Sequence, residues 1–162
     1  MAVRTSNLKY RSAGDVGVLA VSLLVAFALT CTACGGDDGD GGTELQCVED
    51  LPSDCAPGFE PTWNNVYANV VRQSCVGSGT SCHGPGAKQG GLELSSASGA
   101  LAALLGDTDG KPRVLPNDPA CSTLMIRLET DDPDKRMPRL AGQLTAATRC
   151  AVQTWIEMGA KP

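Results

Sequence analysis

The only histidine of the chain, His83, stands directly after Cys82, in the stretch Cys75-Val-Gly-Ser-Gly-Thr-Ser-Cys82-His83-Gly84-Pro85-Gly86. These residue types can do three kinds of chemistry. A neutral imidazole ligates a metal or accepts a proton, a thiolate attacks or ligates, and two thiols close a bridge. A single histidine cannot supply the two or three imidazoles of most catalytic zinc sites. The chain has neither a phosphate loop of the Walker type nor a Gly-x-Ser-x-Gly elbow. No enzyme class finds a motif here, and catalytic residues are not expected.

The N-terminus sets the redox conditions for those thiols. Arg4, Lys9 and Arg11 precede a largely apolar, uncharged run from Val16 to Leu29, which leads to Thr32-Ala33-Cys34-Gly35-Gly36. Basic, apolar and small segments in that order make a secretory signal. The apolar run of roughly 14 residues is short of the ~20 that span a hydrocarbon core. The setting of Cys34 resembles a bacterial lipobox, although Cys31 stands where leucine is usual. That resemblance implies cleavage before Cys34, a lipid on it, and a membrane as first partner. Gly35, in place of the aspartate that commonly retains lipoproteins in the inner membrane, points to the outer one. The alternative is an ordinary cleaved signal and a soluble secreted product. Removing residues 1–33 takes away three basic groups and Asp15, moving the formal charge from -5 to -7. Such an acidic surface argues against nucleic acid and anionic lipid as partners. A tether of Gly and Asp follows over residues 34–45, and it cannot bury enough apolar surface to fold.

Outside the cytoplasm, six cysteines in one small domain read first as a disulfide framework. Proximity along the chain pairs Cys47 with Cys55, around Pro52, and Cys121 with Cys150. A free Cys82 nucleophile with His83 as its base is disfavoured in that compartment. For Cys75 and Cys82 a bridge across the six-residue Gly/Ser loop is one reading.

The elements that must position these residues are mostly helical. Trp63, Val66, Tyr67, Val70 and Val71 recur at helical spacing between Pro61 and Ser74, which predicts a helix delivering the chain to Cys75. Gly90 to Leu94 reads as short and extended, and Ser95 to Leu105 as a helix. Asp118-Pro119 offers a cap and a first-turn proline for a helix carrying Leu124, Met125 and Leu128. Asp131 to Pro138 is a charged loop ending in Arg136-Met137-Pro138. Thr145 caps a last helix that carries Cys150, Trp155 and Ile156 and stops at Gly159. The expected fold is a small all-α domain of about four helices over residues 46–162, with long loops and disulfide staples. Trp63 and Trp155 are read as core.

A helix ending at a cysteine, then Cys82-His83-Gly84, Gly90-Gly91-Leu92-Glu93-Leu94, Asp118-Pro119, Met137-Pro138 and a terminal Trp155-Ile156-x-x-Gly159-Ala160 follow one another in order. Over residues 61–161 this order resembles the cytochrome c domains of exported bacterial proteins, most closely the divergent planctomycete and myxobacterial lipoproteins. The resemblance implies haem c as cofactor, with Cys75 and Cys82 as thioether cysteines, His83 as proximal iron ligand and Met137 as distal ligand. It implies one-electron transfer to a redox partner protein, with ligation and exclusion of water as the protein's share. The usual attachment motif has two residues between its cysteines, whereas this chain has six. Attachment through both cysteines, attachment through Cys82 alone, and a Cys75–Cys82 bridge without haem all stay open. Met137 has plain alternatives too: it can plug the core, and Met125 or Met158 could take its place. The second reading of the whole is a haem-less, disulfide-stapled envelope module that binds a partner or adds structure at the membrane.

Overall fold

A computed structural model describes residues 46–77, 82–139 and 141–162. The signal, the lipobox at Cys34 and the tether lie outside the described residues. Within them the architecture is all-helical, with no strand and two disulfides.

Helix α1 (Trp63–Val66) runs without a break into a π-helix, Tyr67–Cys75. Thr62 caps it, its hydroxyl accepting from the Asn65 amide at 3.4 Å, so Pro61 lies just before the cap rather than at the first helical position. The wider winding shows where Val76 N–H donates to Val71 O, five residues back. α2 (Ala97–Leu105) is capped by Ser96 and closed by Gly106 at φ +85. A Cβ at Gly106 would fall 2.8 Å from the Pro112 nitrogen, so only glycine fits that turn.

α3 (Thr123–Glu129) begins later than the Asp118-Pro119 signal suggests. Asp118 instead closes a tight turn, accepting from Cys121 N–H at 3.0 Å. The buried Ser122 hydroxyl accepts from Leu115 N–H at 2.8 Å and donates to Asp118 O at 2.7 Å. Those bonds hold the turn rather than cap the helix. α4 (Ala146–Glu157) starts at Thr145 and stops before Gly159, as its capping signals predict. Gly90 and Gly91 depart from the extended reading. Both take left-handed φ in a short 3₁₀ turn, Gln89–Gly91, and the chain becomes extended only at Leu92.

The core forms where α1 and α4 meet. Trp63 and Trp155 lie with ring centroids 5.2 Å apart, surrounded by Val66, Val70, Leu104, Met125, Leu128 and Ile156. Each indole satisfies its N–H on a backbone carbonyl, Trp63 on Ala97 at 3.2 Å and Trp155 on Lys161 at 2.8 Å. Across α3 and α4, Arg149 donates to Glu129 at 2.8 Å.

The disulfide pairing corrects the one read from proximity. The four expected cysteines are bridged, but as Cys47–Cys121 and Cys55–Cys150, with Cα separations of 4.3 and 5.8 Å. Residues 46–60 form a strap laid along the domain. Val48 N–H donates to Ala120 O, Gly58 N–H to Ala147 O, and the buried Gln153 side chain donates to Pro52 O. Cys47 and Cys55 thus fasten the strap at two separate places, to the Asp118–Cys121 turn and to α4. Among the described residues no helix is long and apolar enough to cross a membrane.

Candidate functional site

His83 is pinned from three sides. Its backbone N–H donates to Cys75 O at 3.1 Å, and its carbonyl accepts from Leu94 N–H at 2.8 Å. Its ring Nδ1 lies 3.3 Å from Leu92 O. A carbonyl only accepts, so Nδ1 carries the proton, and in the neutral ring Nε2 keeps the lone pair. That tautomer, fixed by a backbone acceptor, is the one a metal-ligating histidine uses. The Leu92–Leu94 segment is itself held from α1 and the π-helix that continues it, where the Tyr67 hydroxyl donates to Ser95 O at 2.9 Å and the Trp63 indole donates to Ala97 O. The first helix thus sets the histidine at second hand, through the strand-like segment that the ring leans on.

The two cysteines beside it differ in kind. Cys75 ends the helix and packs against the core, its Sγ 3.9 Å from Val70 O. Burial, and secondarily the charge of Cys82, pushes its thiol up to about 12 from an ordinary 9.0. It stays protonated at neutral pH and is a poor nucleophile. Cys82 is exposed and holds a left-handed φ of +57, a conformation that disfavours side chains. Neither is in a disulfide.

Met137 sits on a separate loop, half-buried and tied to α3. Its N–H donates to Arg127 O at 2.7 Å, while the Arg127 guanidinium donates to Lys135 O at 3.0 Å. Asp132 organises the same loop, its carboxylate accepting from the Asp134 amide and its backbone carbonyl from the amides of Lys135 and Arg136. Its carboxyl is held below the usual carboxylate range, first by the Asp134 amide. A depressed carboxyl stabilises above its unfolded value, here 3.8, and the stabilisation is lost as pH falls through the lower folded value. Amide exchange at Asp134 will therefore accelerate below that pH beyond the trend of the rest of the domain. Exchange that stays flat there would remove Asp132 as the organiser of the loop.

Arg136 was passed over in the sequence, where it reads only as a loop charge. Its Nε is buried without a hydrogen-bond partner. An orphaned buried donor calls for an acceptor, and its neighbour in the chain is Met137. Of the two rival methionines, Met125 is fully buried in the core and Met158, 58% exposed, lies at the end of α4.

The structure brings Cys75, Cys82 and His83 into one hydrogen-bonded corner. Among the described residues no hydrogen bond joins that corner to the Met137 loop, and no three His, Cys, Asp or Glu side chains gather as a metal cluster. A cleft of about 320 Å³ opens on another face, between the Lys88–Ser96 segment, α2 and Asp109, and neither His83 nor Met137 lines it.

Against known proteins, a family model described as Planctomycete cytochrome C matches residues 80–139. The match supports a divergent cytochrome c-like domain. No curated protein and no solved structure matches the chain. The matched segment includes Cys82, His83, Arg136 and Met137, and it begins after Cys75. These residues fit a haem by their chemistry. The neutral His83 ring offers Nε2, Met137 a thioether, Cys82 an accessible thiol, and Arg136 an unpartnered Nε donor suited to a propionate carboxylate.

Proposed function

We propose that the chain is a lipid-anchored electron carrier of the bacterial envelope, tethered through Cys34. Its cytochrome c-like domain would hold one c-type haem through Cys82 and His83, with Met137 as the distal ligand. The observation that carries this reading is the hydrogen bond from His83 Nδ1 to Leu92 O, which leaves Nε2 available for iron. Bound there, the haem supplies a centre that gains and loses one electron without breaking bonds. The chain's own part is to hold the imidazole in one tautomer, offer a thioether that favours the reduced state, and neutralise buried carboxylate with Arg136. The acidic surface selects a basic face on the redox partner. No substrate chemistry is assigned to it.

Spectroelectrochemistry of the exported protein tests this. A reversible titration following a single one-electron step supports the carrier; a haem-bearing protein that cannot be cycled refutes it.

A second reading keeps the domain without haem, as a stapled module that binds a partner at the membrane. It is favoured by the closeness of the two thiols, since the residue after Cys82 bonds directly to the Cys75 carbonyl, which puts a bridge within reach. A colourless, folded protein lacking free thiols would establish it.

A further inference from the structure

We infer that the haem attachment site is Cys82 alone, with a single thioether, and that Cys75 serves the fold as a part-buried thiol packed against the core. This rests on the carrier reading above. Three observations converge on it. Cys82 is exposed and turned by its left-handed backbone, next to the pinned His83. Cys75 packs against Val70 and the core at the end of a continuous helix. Turning its sulfur outward would give up its contacts with Val70 O and the core, and its carbonyl already accepts from the N–H of His83, the proposed iron ligand. Register agrees. The two-residue attachment motif places its first cysteine three positions before the second, and here that position is Gly79. The family match likewise includes Cys82 and begins beyond Cys75.

The bond chemistry balances without an oxidant. Cys82 S–H adds across one vinyl double bond, so that sulfur joins the carbon next to the ring and hydrogen goes to the terminal carbon. One π bond and one S–H bond break, one C–S and one C–H bond form, and the second vinyl stays intact.

The full chain is exported in a host with c-type haem maturation, denatured, alkylated with iodoacetamide, and digested. Tandem mass spectrometry then reads the peptide spanning Gln73 to Lys88, which holds both cysteines. One haem on Cys82 and one alkyl group on Cys75 is expected. The pyridine haemochrome band should lie between those of vinyl-intact and doubly attached haem. Cys75→Ala should keep covalent haem within about twofold of wild type, while Cys82→Ala should lose it. A haem bonded to both sulfurs, or loss of covalent haem in Cys75→Ala, overturns the single thioether while leaving the carrier standing. Wild-type protein with no haem adduct overturns both.

Discussion

Exported with c-type haem maturation, the His83→Ala variant will lose the low-spin Soret band, while its haem-free domain stays folded. The two halves of that result have different causes. The side chain makes one hydrogen bond, Nδ1 to Leu92 O, so its removal should lower apoprotein stability by only about 1 kcal/mol. The backbone bonds to Cys75 and Leu94 survive the substitution. On the haem side the variant removes the ligand itself. The yield of haem-loaded protein should fall by more than the ~10–100-fold that loss of an outer-shell partner typically causes. Met137→Ala should act differently, lowering the potential and leaving the attachment in place. Equal Soret intensity in wild type and His83→Ala would move the ligand elsewhere.

The largest stability effect should come from the staples. The two disulfides interlock along the chain, with sequence separations of 74 and 95. With one closed, the other completes an effective loop of roughly 40 residues, which on the chain-entropy account stabilises by about 4 kcal/mol. Replacing Cys55 and Cys150 by alanine should lower the unfolding free energy read from urea titration by that amount, out of the ~5–15 kcal/mol that holds a typical domain together. The same value is expected for Cys47 and Cys121, because the effective loop is the same. A loss under about 1 kcal/mol for either pair would refute this. Non-reducing peptide maps linking Cys47 to Cys55 would refute the pairing itself.

The helical pattern was legible because it is local. Thr145 and Gly159 bracket α4, and the Trp63 and Trp155 stripes meet as apolar faces must. The disulfide pairing was not legible, since it depends on where an extended strap lies across α4 and the Asp118–Cys121 turn, and nothing in the spacing of cysteines records that. The start of α3 was misread for a related reason. Asp118-Pro119 is a sound capping signal, but the buried Ser122 hydroxyl binds the preceding turn and moves the helix to Thr123. The π winding after Val66 has no propensity signal that would announce it.

At the candidate site, His83 stood out because it follows a cysteine and is unique. Its tautomer needed the Leu92 carbonyl, and the burial of Arg136 Nε needed the packing of its loop. Arg136-Met137-Pro138 drew notice for its methionine, while the arginine carries the clearer demand for a bound partner.

The most direct test of the account is the absorption spectrum of residues 34–162, exported with c-type haem maturation, before and after dithionite and after acid-acetone extraction. The account predicts a Soret band that sharpens on reduction and stays with the polypeptide. A folded protein without colour would contradict it, and the further lack of free thiols would leave Cys75 and Cys82 as a structural bridge.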